Sequence, residues 1–391
     1  MENVSSSNGL EKYPKLRFPG FDEPYMECRI GDIYSERSQR GADDMELLSV
    51  TLNDGVMPRS EIEGKDNSSE DKSNYKVVCK GDMVYNSMRM WQGANGVSDY
   101  DGIVSPAYTV LMPNKEIDNH YFASLFKTPN LINEFRKYSQ GLTSDTWNLK
   151  YPQIRSIRLY IPSLQEQHKI SVFISTLEER IGIQRQLVDS LKKYKRGLLS
   201  HLFSEKSTQR CTTKRYYFSE IAQRRSEKYD PSSGIEYPCV ELENIEQESG
   251  KILATVPSIK QGSIKNIARP GDTLFGKLRP YLRKYAFAEQ MMVCSSEIWT
   301  LIPSDVVLPK FLFYLTQTEQ FLQVANISSG TKMPRAEWSN IEKAEFFIPD
   351  FSVQHKAVSL LERVDKKITY TDSVLIYLKG LKTGLMQKLF I

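Results

Sequence analysis

The sequence has few cysteines and no long hydrophobic run, and both absences limit what the protein can be. Cys28, Cys79, Cys211, Cys239 and Cys294 lie far apart in 391 residues and form no Cys-x-x-Cys pair. An odd number of scattered cysteines argues against a zinc site and a disulfide framework, and favours a reducing compartment. No apolar run is long enough to cross a bilayer, and the polar N-terminus lacks a signal-peptide core. We therefore expect a cytoplasmic protein that does not bind a membrane.

Familiar catalytic motifs are also missing. The sequence contains no Walker loop, no Gly-x-Ser-x-Gly and no His-Glu-x-x-His, which leaves nucleotide hydrolysis, serine hydrolysis and zinc proteolysis without support. Asp350 and Asp365 faintly resemble a nuclease pattern, but Ser163 stands at the position equivalent to Asp350, so we attribute the pattern to chance. His168 and His355 have no carboxylate at helical spacing, and we assign them no metal or catalytic role. We expect no catalytic residue and no metal ligand in this chain.

The composition is that of a soluble globular protein with more than one domain. Hydrophobic residues make up 40% of the chain and charged residues 26%, which excludes overall disorder. A length of 391 residues predicts two or three domains. The net charge is only +4, so a polyanionic partner would have to meet local basic patches.

The chain contains an internal duplication. IPSLQEQHKI begins at Ile161, and IPDFSVQHKA begins 187 residues later at Ile348. Residues 161–203 and 348–390 share 13 identities in 43 positions without a gap, and both copies end in Leu-Phe. Such a repeat is the first feature on which a fold prediction should rest.

Each copy carries a heptad pattern typical of a coiled coil. Steps of four and three residues, taken alternately along each copy, pass mainly through apolar residues. Polar residues interrupt the pattern at the same two positions in both copies, and at one of these the first copy has Lys195 and the second has Lys382. We predict two helices of about 57 Å, roughly 38 residues each, that pair as an antiparallel coiled coil with both lysine ammonium groups in solvent near its open end. The alternative is two unrelated amphipathic helices on separate cores. The predicted seam comprises Ile170, Ile174, Leu177, Ile181, Val188, Leu191, Leu198 and Leu202, and Leu361, Val364, Ile368, Leu375, Leu378, Leu385 and Leu389.

The segments that precede the two helices share one plan. Each has short strand-like stretches, then a helical stretch, then a polar loop that contains glycine. The sequence therefore predicts an α+β fold with two similar domains, each followed by a long helix, and with internal pseudo-twofold symmetry; the resemblance described below implies that these are target-recognition domains. The predicted boundaries are 1–160 for the first domain, 161–205 for its helix, 206–347 for the second domain and 348–391 for the second helix.

Loops of both domains carry basic, amide and aromatic side chains suited to nucleic acid. Lysine and arginine neutralise phosphates, while arginine, asparagine and glutamine hydrogen-bond to purine edges. The alternative is that these basic turns are merely solvated. We expect Trp147 and Trp338 to be core residues. The candidate DNA-binding residues are Arg37, Gln39, Arg40, Arg89, Trp91, Gln92, Asn95, Thr143, Arg224, Arg225, Lys228, Lys277, Arg279, Tyr281, Arg283, Lys284, Thr331 and Lys332.

Several motifs together resemble a known family. PKLRFPGF at 14–21, the Ile-Pro and Gln-His-Lys repeat, and the endings KKYKRGLLSHLF and LKGLKTGLMQKLF are similar to the specificity subunit of bacterial type I restriction-modification systems. The resemblance covers essentially the whole chain. The first helix keeps the Glu166-Gln167 pair, whereas the second departs from this pattern with Val353 before Gln354.

The resemblance implies a division of labour. Each recognition domain would recognise one half of a split, asymmetric target in double-stranded DNA, and the coiled coil would set the spacer. Two adenine-N6 methyltransferase subunits would dock on the chain, and ATP-dependent restriction and translocase subunits would join for cleavage. S-adenosylmethionine, ATP and Mg²⁺ would belong to those partners, so this chain would hold no cofactor and be no enzyme.

Two other classes of function stay open. A coiled-coil scaffold with two protein-binding domains would bind DNA weakly and without sequence preference. An enzyme with an unrecognised site would bind S-adenosylmethionine or cleave DNA as the isolated chain.

Overall fold

A computed structural model describes residues 12–41, 44–52, 54–66, 68–141, 143, 147–204, 213–327 and 333–391. The chain divides into two compact units. Unit 1 comprises Met1–Gln184 and Val374–Ile391, and unit 2 comprises Arg185–Ser373. Each unit therefore contains one domain and parts of both long helices.

Unit 1 contains a four-stranded antiparallel sheet in the order β2-β9-β6-β7. Smaller antiparallel pairs are β1 with β10, β3 with β4 and β5 with β8. The strands are β1 Met26–Arg29, β2 Tyr34–Glu36, β3 Leu48–Thr51, β4 Gly55–Pro58, β5 Lys76–Val78, β6 Met83–Asn86, β7 Asn95–Val97, β8 Gly102–Val104, β9 Tyr108–Pro113 and β10 Arg158–Ile161. The short helices are α1 Ile30–Ile33, α2 Asn119–Leu125, α3 Pro129–Tyr138 and α4 Tyr151–Ile154.

Unit 2 repeats this plan. Its sheet order β12-β20-β17-β18 matches that of unit 1, β11 pairs with β21, and a five-stranded sheet has the order β13-β16-β19-β14-β15. The strands are β11 Thr213–Tyr217, β12 Ala222–Arg224, β13 Lys228–Tyr229, β14 Pro238–Val240, β15 Val256–Pro257, β16 Lys265–Ala268, β17 Thr273–Gly276, β18 Tyr285–Phe287, β19 Met292–Cys294, β20 Ile298–Pro303 and β21 Glu345–Pro349. The short helices are α6 Phe218–Ile221, α7 Pro309–Leu315, α8 Glu319–Ala325 and α9 Trp338–Ile341.

The two long helices run antiparallel. Helix α5 spans Leu164–Leu202 and α10 spans Phe351–Leu389, 39 residues each. In unit 1 the first half of α5 meets the last part of α10, and in unit 2 the last part of α5 meets the first part of α10. All fifteen residues of the predicted seam are buried or half-buried. A period of seven keeps one face of each helix turned inward along its whole length.

The helix ends complete the core of each unit. In unit 1 the ring of Phe390 lies 5.2 Å from that of Tyr121, and in unit 2 the ring of Phe203 lies 4.7 Å from that of Phe311. Both phenylalanines are at least nine-tenths buried. The Leu-Phe ending is therefore repeated because each helix ends in an equivalent apolar socket.

The repeated glutamine joins each long helix to the domain beside it. Gln167 accepts from the backbone N–H of Asp118 at 3.2 Å and donates to the carbonyl of Pro162 at 3.0 Å. Gln354 accepts from the N–H of Leu308 at 2.8 Å and donates to the carbonyl of Pro349 at 2.9 Å. Both side chains are buried, so these bonds satisfy backbone groups that water cannot reach.

The difference between Glu166 and Val353 also has a structural reason. Glu166 is fully buried and accepts two hydrogen bonds from Arg17, at 2.9 and 2.8 Å. Tyr25 donates to the same carboxylate, and Leu16 donates its N–H to the carbonyl of Lys388. The segment PKLRFPGF thus ties α5 to α10 inside unit 1, and Glu166 is its anchor.

The prediction for Lys195 was wrong. Its side chain is only 7% exposed, and its ammonium group lies 2.7 Å from Asp365. Lys382 is more open, at 24%, and pairs with Glu178. A lysine in an apolar seam is tolerated when a carboxylate on the facing helix neutralises it.

Candidate nucleic-acid interface

Both units anchor a β-turn with an arginine and a buried aspartate. Arg37 donates to the two carboxylate oxygens of Asp82 at 2.7 and 3.1 Å, and Arg225 donates to those of Asp272 at 2.8 and 2.9 Å. These hydrogen bonds raise the pKa of each guanidinium. Two candidate DNA-binding residues are thus engaged by the fold, which leaves each with less capacity for a phosphate.

Unit 2 has a concave site with basic and aromatic walls, which we call the basic-aromatic pocket. Its volume is about 440 Å³. Three cations, one carboxylate and two indoles line it, with Met333 and Ala336; the charged and aromatic members are Arg224, Lys277, Arg335, Glu337, Trp299 and Trp338. Cations beside aromatic faces are a combination that suits phosphates and stacked bases.

Strand alternation brings Arg224 into this pocket. Arg224 is the last residue of β12, and Arg225 follows it. Because successive side chains of an extended chain point to opposite sides, the two arginines lie on opposite faces of the sheet. The guanidinium of Arg224 lies 4.8 Å from the ring centroid of Trp338 and 6.0 Å from that of Trp299. The two indoles meet edge to face at 5.6 Å. The cation is therefore held over aromatic rings while it stays exposed.

Arg335 lies at the rim and is partly neutralised. It donates to both carboxylate oxygens of Glu297, at 3.0 and 3.3 Å, and this bond raises the pKa of its guanidinium. The guanidinium is half exposed, so one edge remains open for an incoming anion.

The equivalent positions of unit 1 hold different side chains on the same backbone. The N–H of Leu149 donates to the carbonyl of Ser87 at 2.9 Å, as the N–H of Ala336 donates to that of Lys277 at 2.8 Å. With this correspondence and the shared strand registers, the set Arg224, Lys277, Trp299, Arg335 and Trp338 is replaced in unit 1 by Glu36, Ser87, Thr109, Asn148 and Tyr151. Glu337 of the pocket is matched by Lys150, so a net basic site in unit 2 corresponds to a formally neutral set of side chains in unit 1.

A second matched pair of loops carries further candidates. In unit 2 the loop from Arg279 to Lys284 encloses a tight turn at Pro280–Leu282. Arg279 and Arg283 both have left-handed backbone, with φ of 51° and 50°, which costs a non-glycine residue about 1 kcal/mol or more. Tyr281 at the tip is 54% exposed. Strained exposed loops are common at binding sites.

Acidic side chains restrain part of this loop. Arg283 pairs with Glu319 at 2.8 Å and with Glu248 at 3.5 Å, and Lys284 donates to the carbonyl of Leu242 at 2.6 Å. Arg279 is exposed. Arg279 and Tyr281 are therefore the members of this loop that stand most open to a ligand.

In unit 1 the equivalent loop is built around two tryptophans. Trp91 donates its indole N–H to the carbonyl of Met88 at 3.0 Å and meets Trp147 edge to face at 5.3 Å. The guanidinium of Arg136 lies 5.6 Å from the ring of Trp91. Arg89 and Gln92 are exposed beside it. This cluster again joins aromatic surface to positive charge.

Asn95 does not lie on the surface. It is fully buried in β7, and its amide donates to the carbonyl of Gly93 at 3.2 Å. Its position in a strand of the central sheet, opposite Tyr85, removes it from any groove. Of the other candidates, Gln39, Arg40 and Thr143 are exposed in unit 1, with Arg40 donating to the carbonyl of Asn74.

In unit 2, Lys228 is exposed and donates to Asn266. Thr331 and Lys332 lie outside the described residues. Sequence reasoning missed Arg136 and Arg335. It expected Trp147 and Trp338 to be core residues; both are half-buried, and Trp338 packs against the core of unit 2 while it also lines the basic-aromatic pocket. The signal for Arg335 was present in the run KMPRAEW, which puts a cation three residues before a tryptophan.

Metal-binding clusters are absent from the described residues, and burial keeps three of the cysteine thiols protonated. Within these ranges, no group of three or more histidine, cysteine or acidic side chains could hold a metal ion. Burial raises the pKa of the Cys28 and Cys239 thiols to about 11 and that of Cys294 to about 12, so these thiols stay protonated near neutrality. Across the same part of the chain, no helix is long and apolar enough to cross a membrane.

Comparison with known proteins identifies the family. The family described as type I restriction modification DNA specificity domain matches residues 23–193 and 218–377. The chain belongs to this family. The two matched regions cover both domains and most of both long helices, and the predicted fold class is confirmed.

Members of the specificity-domain family from distant organisms are similar to the chain. The chain is 26% identical over 190 residues to the type I restriction enzyme HindI specificity subunit of Haemophilus influenzae. This alignment covers 46% of this chain and 40% of that protein. The chain is also 22% identical over 331 residues to the MjaVIII specificity subunit of Methanocaldococcus jannaschii, covering 76% of each. The crystal structure of a type I S subunit from M. genitalium has the same fold, with a TM-score of 0.59 at 14% identity over 97% of this chain and 99% of that one.

Proposed function

We propose that this chain is the DNA-recognition subunit of a type I restriction-modification complex, and that each unit recognises one half of a bipartite, asymmetric target. The observation that carries the proposal is the replacement of side chains on a repeated backbone. Where unit 2 has Arg224, Lys277 and Trp299, unit 1 has Glu36, Ser87 and Thr109. Two sites of equal geometry and unequal chemistry suit a target whose halves differ.

In unit 2, phosphate contact and base recognition would fall to different side chains. Lys277 and Arg279 would neutralise phosphates, and Arg224, positioned by Trp338, would reach a base edge. In unit 1, Arg89 and Gln92 would hydrogen-bond to bases beside the Trp91 ring. Thr331 and Lys332 remain predictions of the same kind.

Exposed apolar residues on the long helices support the docking of two methyltransferase subunits. In unit 1, Phe173, Ile183 and Leu381 are 38, 60 and 38% exposed, and in unit 2 the equivalent Leu360, Tyr370 and Tyr194 are 38, 67 and 56% exposed. These large apolar side chains lie outside the buried seam. Two equivalent apolar surfaces, one on each unit, fit two copies of one partner.

The remaining roles follow from this assignment. Adenine-N6 methylation, ATP-dependent translocation and cleavage would reside in the methyltransferase and restriction subunits, which would bring S-adenosylmethionine, ATP and Mg²⁺. This chain would be non-catalytic and would act in the cytoplasm, where it meets double-stranded DNA. The antiparallel helix pair would set the length of the unspecified spacer.

The test is a map of methylated adenines. The chain is co-expressed with a cognate methyltransferase subunit, and host DNA is examined by single-molecule sequencing. We expect one split motif, and the double variant Arg224→Gln with Lys277→Gln should alter or abolish recognition of one half only. The matched variant Arg89→Gln with Gln92→Ala should affect the other half. If an assembled complex supplied with S-adenosylmethionine gives no motif, the chain is a scaffold and the proposal is wrong.

A further inference from the structure

Two ion pairs lie on the facing sides of the long helices. In unit 2, Lys195 of α5 pairs with Asp365 of α10 at 2.7 Å, and in unit 1, Lys382 of α10 pairs with Glu178 of α5 at 2.5 Å. The first lysine is 7% exposed and the second 24%. The first pair therefore lies in the apolar seam, and the second lies at its solvent edge, where Glu178 is 46% exposed.

The four residues are related by the duplication. Lys382 follows Lys195 by 187 residues, and Asp365 follows Glu178 by the same interval. Each helix thus carries an acid and a lysine at one fixed separation, with the acid first. When two such helices run antiparallel, the acid of each faces the lysine of the other.

The same arrangement penalises other alignments. Parallel helices would place lysine against lysine and acid against acid, and an antiparallel pair shifted by one heptad would leave all four charges without partners. Breaking the Lys195–Asp365 pair in this way is strongly destabilising, because an uncompensated lysine remains in the apolar seam, whereas the more exposed Lys382–Glu178 pair contributes less. The aliphatic residues of the seam make no such distinction, since a heptad of leucine, isoleucine and valine repeats itself at every turn of the pattern.

The pair in unit 2 has additional support from the domain. Tyr314 of α7 donates its hydroxyl to Asp365 at 2.8 Å, and the ammonium of Lys195 lies 5.5 Å from the ring centroid of Tyr314. The carboxylate thus has two donors and the lysine has a second favourable contact. A misaligned helix would lose all of these interactions together.

We propose that Lys195–Asp365 and Lys382–Glu178 select the antiparallel orientation and the register of α5 and α10. Polar residues in a coiled-coil seam are known to specify register at some expense in stability. The inference concerns helix pairing and does not depend on the proposed DNA recognition.

The first test reverses the charges on one helix and then on both, in the full chain. Glu178→Lys with Lys195→Glu sets like charges against each other at both sites, as does Asp365→Lys with Lys382→Glu. Each double variant should lower the thermal unfolding midpoint by roughly 5–10 °C. The variant with all four changes should regain most of the combined loss, with a residual deficit because Tyr314 no longer has a carboxylate acceptor at position 365 or an ammonium group over its ring. Losses that simply add in the fourfold variant would overturn the proposal.

The second test separates selection from stabilisation. Replacing both pairs with apolar residues, by Lys195→Met, Asp365→Leu, Lys382→Met and Glu178→Leu, together with Tyr314→Phe to remove the hydroxyl that would lose its acceptor, should keep or raise the unfolding midpoint. We expect this variant to associate with increasing concentration in sedimentation velocity, because helices of different copies can then pair. If it is as monodisperse as the unaltered chain, the ion pairs do not select the alignment. Arg215→Glu, which reverses one member of the exposed Arg215–Glu345 pair, is the control and should shift the midpoint by less than about 2 °C.

Discussion

Phe203 packs its ring 4.7 Å from that of Phe311, although the helix that brings it there begins in unit 1. Phe390 makes the equivalent contact with Tyr121 in unit 1, at the end of a helix that begins in unit 2. Each unit therefore depends for its core on the last residues of a helix that starts in the other. The duplication has produced two domains that exchange helix ends.

This exchange predicts that damage to a helix end appears in the unit where it packs. Phe203→Ala removes a buried ring and should cost unit 2 about 3–5 kcal/mol, while the first recognition domain, which precedes it in sequence, stays protected. Hydrogen exchange followed by mass spectrometry can resolve the two units. Phe351→Ala, at a 46% exposed position, is the matched control. Equal loss of protection in both units would contradict the exchange.

The neighbouring arginines 224 and 225 should behave as opposites. Arg225 and Asp272 are 10% and 3% exposed, so Arg225→Gln leaves a buried carboxylate without its counter-charge, with only the Arg269 N–H still donating to it, and should cost about 3–5 kcal/mol. Arg224→Gln should change stability by less than about 0.5 kcal/mol but weaken binding to the cognate half-site by about 1–3 kcal/mol and relax specificity there, with little change in the salt slope. Urea unfolding and binding titrations at several salt concentrations measure both. Equal effects on stability would show that the basic-aromatic pocket is a structural element.

The sequence predicted the periodic features of this protein because their cause is local. A seven-residue period fixes which helix face is buried, so all fifteen seam positions lie inside or at the edge. The repeat likewise predicted two domains of one plan.

What the sequence could not show depends on tertiary partners. The local sequence does not distinguish Arg224 from Arg225. Which of the two forms an ion pair depends on the face of the strand it occupies and on Asp272, which lies far along the chain. Asn95 resembles a base-recognising amide until the sheet buries it. Lys195 resembles an exposed lysine until Asp365, 170 residues later, supplies its counter-charge.

The repeated glutamines should be needed for the junction between helix and domain. Gln354→Ala removes the acceptor of the Leu308 N–H and the donor to two carbonyls, and should cost about 2–3 kcal/mol because buried polar groups are left unpaired. His355→Ala, next to it on the exposed side of the helix, should change stability by less than about 0.5 kcal/mol. Thermal unfolding of the two variants is the measurement. Equal midpoints would show that the repeated glutamine does not stabilise the junction between helix and domain.

Asp118 should make unit 1 selectively sensitive to acid. Burial tends to raise the pKa of its carboxyl, but hydrogen bonds from Ser171, the Tyr121 N–H and His168 outweigh burial and lower it below 3.8. A lowered pKa in the folded state means that the carboxylate stabilises unit 1 above pH 3.8, and that this contribution disappears as the pH falls through the folded-state value.

The test compares the unaltered chain with Asp118→Ala. Near pH 6 the variant should be less stable by about 1–2 kcal/mol, because α2 loses the side chain that caps its N-terminus, and the difference should vanish at strongly acidic pH. The equivalent cap in unit 2 is Leu308, which carries no charge. Unit 2 therefore serves as an internal control, and its hydrogen-exchange protection should be the same in both chains at every pH. A difference between the chains that persists below the folded-state pKa would assign the effect of Asp118 to packing and not to its charge.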